Sequence, residues 1–265
     1  MAPLLKITCE IAPDAAVLAQ RGAEHLVELI EEAEAARGRV RIALSGGSTP
    51  KAMFHLLADP AHNYRQRIPW HALELFWVDE RMVPPDHPES NYRMTREALL
   101  DHVPLRPENV HRIEGELDPH EAADRYEFAL RQSFRLEGAE SPRFDILALG
   151  MGDDGHTASL FPHTEAIHEM GRLATANAVP QKDTWRVTLT WPVINQAREV
   201  FFLIGGAEKS GVLREVLLGP GDVERLPSQL IWPASGILTM ILDQAAAAQL
   251  PQPDANGIVH LERTR

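Results

Sequence analysis

The sequence predicts an α/β fold built on a doubly wound, mostly parallel sheet with helices on both faces. Short apolar runs rich in β-branched and aromatic residues alternate with longer amphipathic stretches, an order typical of strands connected by helices. Several runs are apolar on both faces, as at residues 144–149, which fits a central parallel strand covered on both sides. No internal repeat or long flexible linker interrupts this alternation, so we expect a single domain over residues 1–265.

The individual elements follow from the spacing of the apolar residues. The runs expected to form strands are residues 4–8, 40–44, 73–78, 144–149, 187–190, 200–204 and 237–242. The stretches expected to form helices are residues 14–36, 50–57, 92–102, 120–136, 207–218 and 244–250. In the first of these helices, Asp14 stands where an N-cap is expected.

Composition and charge exclude several classes of protein. The 265 residues include 38 acidic and 26 Lys or Arg side chains, for a formal net charge of −12. Nucleic-acid-binding proteins concentrate positive charge, so we expect no nucleic-acid partner. A small anionic substrate remains compatible with this charge, provided that a few basic side chains converge locally.

The cysteine content and the apolar runs indicate a cytoplasmic protein. Cys9 is the only cysteine, so neither an intramolecular disulfide nor a C-x-x-C zinc or redox pair is available. The first residues lack the pattern of a signal peptide, and no apolar run approaches the roughly 20 residues that span a bilayer. We expect no membrane partner and a monomer or a weak homodimer.

We expect the functional residues in the loops that follow strands, because ligands of open α/β sheets bind at the carboxyl ends of the strands. The loop after residues 40–44 consists of Ser45, Gly46, Gly47, Ser48 and Thr49. Its glycines allow a ligand close to the backbone, Ser48 or Thr49 can cap the next helix, and the unpaired N–H groups there favour a phosphate. The alternative is a plain tight strand-to-helix turn, since Gly, Ser and Pro are common in such turns. The loop matches neither the Walker nor the dinucleotide-binding pattern.

A second candidate segment, Asp79, Glu80 and Arg81, directly follows the apolar strand at 73–78. Arg81 can form bidentate hydrogen bonds with a phosphate or a carboxylate. The alternative is an internal salt bridge between Arg81 and Asp79 or Glu80.

The third segment combines three glycines with Asp154 and His156, again directly after an apolar strand. Histidine is the side chain best suited to proton transfer near neutral pH, and a neighbouring carboxylate can orient it. A lone histidine is usually structural, but this density of glycine, carboxylate and imidazole at a strand end favours catalysis.

The fourth segment places Lys209 just beyond the strand at 200–204. Lysine is scarce in this chain, and Lys209 stands at the start of a helix, where it can bind a substrate phosphate as a point charge. Taken alone, it would be interpreted as a solvated helix residue.

The sequence contains neither the motif of a serine hydrolase nor that of a metal site. No G-x-S-x-G nucleophile turn is present, and the histidines form no H-E-x-x-H or comparable ligand pair. We therefore expect neither a metal nor any other cofactor.

Together, these segments resemble the 6-phosphogluconolactonase family within the glucosamine-6-phosphate isomerase/deaminase superfamily. The matching stretches are ALSGGSTP at 43–50, WVDERMVPPDHPESNY at 77–92, LGMGDDGHTASLFP at 149–162, RVTLT at 186–190, GGAEKS at 205–210, LPSQL at 226–230 and LDQAAA at 242–247. The resemblance therefore covers nearly the whole chain. One departure is His163, where the family pattern has a glycine.

The resemblance implies a Rossmann-like sheet and a carboxylic ester hydrolase that converts 6-phospho-D-glucono-1,5-lactone to 6-phosphogluconate, the second step of the oxidative pentose phosphate pathway. It implies that His156 is the base acting on water, with Asp154 as its neighbour and Arg81 near the phosphate or the developing charge. The residues it implies as substrate-binding are Ser45, Gly46, Gly47, Ser48, Thr49, Asp79, Arg186 and Lys209.

Two other functions stay open. A glucosamine-6-phosphate deaminase shares three of the four segments, but there the histidine loop ends in Asn-Glu-Pro, where this chain has Leu160, Phe161 and Pro162. A non-catalytic sugar-phosphate sensor would keep the fold and the phosphate loop, but such sensors usually carry an added domain.

Overall fold

The computed structural model describes residues 4–235 and 237–264. Its strands are β1 (Leu4–Ala12), β2 (Val40–Leu44), β3 (Leu73–Trp77), β4 (Asp79–Arg81), β5 (Val110–His111), β6 (Ile146–Leu149), β7 (Ala174–Val179), β8 (Thr184–Leu189), β9 (Glu199–Ile204), β10 (Ile237–Asp243) and β11 (Ile258–Thr264). Its α-helices are α1 (Ala15–Arg37), α2 (Ser48–Ala58), α3 (Tyr64–Arg67), α4 (Asn91–Ala98), α5 (Pro119–Phe134), α6 (Trp191–Gln196) and α7 (Ser210–Leu218).

A large sheet organises the chain, in the order β11-β1-β10-β9-β6-β2-β3-β5. Its neighbouring strands pair in parallel, except that β11 runs antiparallel to β1. From β2 the chain proceeds through β3 and β5 towards one edge, whereas β6, β9 and β10 lead towards the other. The strand order therefore reverses between β2 and β6, and the carboxyl ends of these strands flank the crevice where ligands of such sheets bind. The mostly parallel sheet with flanking helices confirms the predicted fold class.

A second, antiparallel sheet was not predicted from the sequence. Its order is β4-β8-β7, and a single residue, Val78, separates the end of β3 from the start of β4. Val78 joins the two sheets, because its N–H donates to Leu44 of β2 and its carbonyl accepts from Leu189 of β8. The segment interpreted as a loop after β3 is thus a short strand, and two of its side chains, Asp79 and Arg81, line the crevice.

Helix α1 shows how local sequence produces the packing. Asp14 accepts the N–H of Val17 and caps the helix, as predicted, and Gly38 ends it in a left-handed conformation. One face, which includes Leu18, Leu26 and Ile30, is buried against the large sheet. Burial of each such side chain contributes about 1.5–3 kcal/mol, and this packing outweighs helix propensity as the source of stability.

At the amino end of the large sheet, charged side chains are held in ion pairs. Glu74 on β3 pairs with Arg39 and with Arg41 on β2, while Asp145 before β6 pairs with Arg37. Asp145 also accepts the backbone N–H of Arg41. The catalytic candidates lie at the other end of the sheet, so these pairs serve the fold.

Some predicted elements are wrong. Residues 244–250 form turns rather than a helix, and Pro251 disfavours a helical conformation at the residue before it. The strand expected at 187–190 begins earlier, at Thr184, and neither β7 nor β11 was expected. None of the helices among residues 4–235 and 237–264 is long and apolar enough to cross a bilayer.

Candidate active site

A cleft of about 430 Å³ lies at the carboxyl ends of β2 and β6, where the strand order reverses. The predicted residues that line it are Ser45, Gly46, Gly47, Ser48, Thr49, Asp79, Arg81, His156, Arg186 and Lys209. Asp154 does not line the cleft, but it lies directly behind His156. The tertiary structure thus brings together residues from five separate segments of the sequence.

The loop after β2 presents backbone to the cleft. Gly47 has φ +117°, a conformation that favours glycine, and a Cβ on Gly46 would overlap the side-chain amide of Asn91. The helix begins at Ser48, so Gly47 is the N-cap, and the expectation that Ser48 or Thr49 caps α2 is wrong. Because no side chain caps this end, its first N–H groups are left to bind a ligand anion.

His156 and Asp154 form a dyad in the loop after β6. Nδ1 of His156 lies 2.5 Å from Oδ1 of Asp154, which also accepts the backbone N–H of His156 at 3.0 Å. Burial raises the pKa of Asp154, but these hydrogen bonds and the charge of the imidazole outweigh burial and hold it below its ordinary value. An ionised Asp154 accepts the Nδ1 proton, which leaves Nε2 of His156 free to accept one.

The surrounding loop holds the imidazole in place. The ring of Phe161 stacks on that of His156, with 4.0 Å between centroids. A Cβ on Gly152 would overlap the imidazole, so the dyad requires glycine there. From the late LPSQL stretch, Ser228 donates its N–H to the carbonyl of Gly155, which explains a motif that lies outside the cleft.

Arg81 and Arg186 supply positive charge from the small sheet. They are register partners on β4 and β8. The Arg81 guanidinium donates to the carbonyl of Glu89 at 2.9 Å, so the expected alternative, a salt bridge to Asp79 or Glu80, is not what forms. Its Nε atom is buried without a partner among the described residues, while the residue itself lines the cleft.

Asp79 is buried at the base of the cleft with both carboxylate oxygens bound. The Ser159 hydroxyl donates to Oδ2 at 2.6 Å, and the Asn91 amide donates to Oδ1 at 3.4 Å. Asp79 thereby links β4, α4 and the His156 loop. This geometry supports a structural role for a residue that the sequence resemblance places with the substrate-binding group.

Lysine reaches the cleft from two elements. Lys209 ends the short turn before α7, as expected, and Lys182 ends a turn between β7 and β8. The sequence analysis did not select Lys182. The scarcity of lysine in this chain, which singled out Lys209, applied equally to Lys182. Also missed were Ser159, Asn91 and Phe161, whose roles depend on contacts between distant segments.

His163, the departure from the family pattern, has φ +58°. This left-handed conformation is the one that glycine adopts without strain, which accounts for glycine in the pattern. His163 itself is exposed and does not line the cleft.

Over the described residues, no group of three or more His, Cys, Asp or Glu side chains is arranged to hold a metal ion.

Known proteins resemble this chain along most of its length. Residues 13–240 match the family described as "Glucosamine-6-phosphate isomerases/6-phosphogluconolactonase". A 6-phosphogluconolactonase of Nostoc sp. is 42% identical over 248 residues, which cover 93% of this chain and 99% of the relative. One of Synechocystis sp. is 43% identical, with 88% and 94% covered. The solved 6-phosphogluconolactonase of Trypanosoma cruzi is 35% identical with a TM-score of 0.79, covering 94% of this chain and 98% of that one.

The profile match spans far more than half of the chain, and the relatives are covered almost end to end. Both findings confirm the resemblance drawn from the sequence motifs. The chain belongs to the family of glucosamine-6-phosphate isomerases and 6-phosphogluconolactonases.

Proposed function

We propose that this protein hydrolyses 6-phospho-D-glucono-1,5-lactone to 6-phosphogluconate, as the second step of the oxidative pentose phosphate pathway. The observation that carries the proposal is the presence, in one cleft, of a His156–Asp154 dyad and a phosphate-binding loop. The names of the relatives support the same activity.

In this proposal, His156 acts as general base. Its Nε2 takes a proton from water, and the water oxygen forms a bond to the lactone carbonyl carbon. The tetrahedral intermediate collapses as the bond from that carbon to the ring oxygen breaks, and the ring oxygen takes the proton from His156. A lactone is an activated ester, so no covalent nucleophile is needed, and such proton transfer contributes about 10²–10⁴-fold to the rate.

The substrate carries a negatively charged phosphate, and a further negative charge develops on its carbonyl oxygen during the reaction. We assign the phosphate to the amino end of α2 and to Lys209, because helix N–H groups and a lysine ammonium both favour phosphate. We assign the developing oxyanion to Arg81, which lines the cleft, with Arg186 beside it.

The cleft fits neither of the two alternative functions, a deaminase or a non-catalytic sensor, as well. A deaminase of this superfamily needs a carboxylate in the histidine loop, where this chain has Phe161 stacked on His156. The acidic side chains that line the cleft are Asp79, which is fully hydrogen-bonded, and Glu89, which is exposed. A non-catalytic sensor would have no use for an oriented dyad.

The test is proton release from freshly generated 6-phosphogluconolactone, because the acid product loses its proton to the solvent. The rate must exceed spontaneous hydrolysis, and His156→Ala serves as the matched control. Ammonia release from glucosamine 6-phosphate would instead support the deaminase. Binding of 6-phosphogluconate without turnover of the lactone would support the sensor.

A further inference from the structure

The loop that carries Lys209 makes a sharp turn after β9. Gly206 has φ +109°, a backbone conformation that favours glycine because other residues are strained there. The Lys209 N–H donates to the Gly206 carbonyl at 3.2 Å. The orientation of the Gly206 peptide therefore determines where the backbone of Lys209 lies.

A buried carboxylate from another strand holds the other side of the same residue, at its backbone N–H. Asp243 ends β10, and its neighbour Leu242 is the register partner of Ile204, the last residue of β9. Both carboxylate oxygens of Asp243 accept the Gly206 N–H, at 3.2 and 3.0 Å. The side chain is only 6% exposed, so these bonds form where water competes little.

Close packing gives the carboxylate no freedom to move away. A Cβ on Gly205 would meet Oδ2 of Asp243 at 2.9 Å. On its other side, Oδ1 accepts the N–H of Ala246 at 2.7 Å. A buried carboxylate is costly unless it is hydrogen-bonded, and here its bonds come from two loops at the carboxyl edge of the sheet.

We infer that Asp243 is the positioning residue for Lys209: it holds the N–H of Gly206, whose carbonyl accepts from Lys209, and thereby sets where the ammonium meets the substrate phosphate. The inference deepens the proposed function and rests on it, since Lys209 is the proposed phosphate ligand. Asp243 itself does not line the cleft and touches no reacting atom.

The experiment compares two buried aspartates. Asp243→Asn removes one acceptor and the charge beside Gly206, whereas the control Asp145→Asn makes the same change at the opposite end of the sheet. We expect Asp243→Asn to raise KM for the phosphorylated lactone by roughly threefold or more with kcat changed less than about twofold. Asp145→Asn should lower stability and leave KM unchanged.

A double-mutant cycle separates positioning from general destabilisation. In a Lys209→Met background, Asp243→Asn should change KM by less than about twofold, because the ammonium it positions is gone. Amide hydrogen exchange of Gly206 and Lys209 should accelerate in Asp243→Asn and not in Asp145→Asn, a result that needs no activity.

Three results overturn the inference: an unchanged KM in folded Asp243→Asn, KM effects that multiply in the double variant, or unaltered exchange at Gly206. If Asp243→Asn fails to fold, Asp243→Glu keeps the charge, shifts it by one methylene, and carries the same expectations. Wild-type protein without lactonase activity would refute the proposed function instead, while the exchange result would still test the link between Asp243 and the loop.

Discussion

Arg81 and Arg186 lie directly opposite each other on adjacent antiparallel strands, although both are positively charged. Burial lowers the pKa of Arg186 below its ordinary range, and the charge of Arg81 lowers it further. Like charges in this position destabilise a sheet. An anion bound beside both guanidinium groups would offset this repulsion.

Arg186→Gln should separate the repulsion between the two arginines from their contribution to anion binding. Without anions, the free energy of unfolding should stay the same or rise by up to about 1 kcal/mol, because the like-charge pair is gone. In inorganic phosphate, wild type should gain more stability than the variant, since it binds the anion more tightly. Urea unfolding with and without phosphate measures both. Arg125→Gln, which does not line the cleft, is the control, and an equal phosphate effect in wild type and Arg186→Gln would contradict the assignment.

His156→Ala should lower kcat and kcat/KM together, by roughly 10²–10⁴, because general-base catalysis acts mainly in the transition state. Steady-state kinetics with the phosphorylated lactone checks this, and urea unfolding must show that the variant folds. His168→Ala, on an exposed histidine, should keep normal kinetics. A folded His156→Ala variant with near-normal kcat would move the role of base to Asp79 or Asp154.

Lys209→Met should mainly raise KM for the phosphorylated lactone, with kcat changed less, because the phosphate is bound in both the ground state and the transition state. With unphosphorylated gluconolactone, which should be a far poorer substrate, wild type and Lys209→Met should behave alike. Lys6→Met, on an exposed position of β1, is the matched control. If gluconolactone matched the kcat/KM of the phosphorylated lactone, the phosphate assignment would fail.

Acid should destabilise the protein through Glu74. Burial raises its pKa, but hydrogen bonds from His111 and Ser133 and the charges of Arg41 and Arg39 outweigh burial, and the pKa falls from 4.5 to about 2. A carboxyl whose pKa is lower in the folded state stabilises above its unfolded pKa. That contribution is therefore complete above about pH 4.5 and is lost as the pH falls towards 2.

Glu74→Gln makes this measurable. At pH 7 it should lower the free energy of unfolding by about 2–3 kcal/mol, since the side chain is only 13% exposed, and the difference from wild type should shrink between pH 4.5 and 2. Glu121→Gln, which breaks an exposed pair with Arg125, should cost less than about 1 kcal/mol. A difference that stays constant between pH 7 and pH 3 would show that the charge of Glu74 is not the cause.

His163→Gly should stabilise the protein by about 0.5–1 kcal/mol, because relief of the left-handed backbone outweighs the greater freedom of glycine in the unfolded chain. Kinetics should be unchanged, since His163 lies outside the cleft. His163→Ala removes the imidazole but keeps the strain, so it should gain nothing. Equal stabilisation by both variants would refute backbone strain as the reason for glycine in the family pattern.

The chemistry-bearing segments were predictable because they are local. The glycine-rich loop at 45–49 and the Asp154–His156 segment each follow an apolar strand, and short-range spacing is enough to recognise them. Residues whose roles arise across the fold were not predictable in this way. In the sequence, Lys182 cannot be distinguished from an ordinary exposed lysine, and only the pairing of β7 with β8 places it at the cleft. Likewise, Asp243 is recognisable only as the end of a strand, because its hydrogen bond to Gly206 connects distant segments.

The sequence by itself determined the alternation of strands and helices, the N-cap at Asp14 and the loops at the carboxyl edge, because each depends on residues close together in the chain. Only the tertiary structure decided that residues 79–81 form a strand, that Arg81 faces Arg186, and that residues 244–250 are not a helix. Local preference is weak in such short segments, and each therefore adopts the conformation that its long-range hydrogen bonds and packing stabilise most.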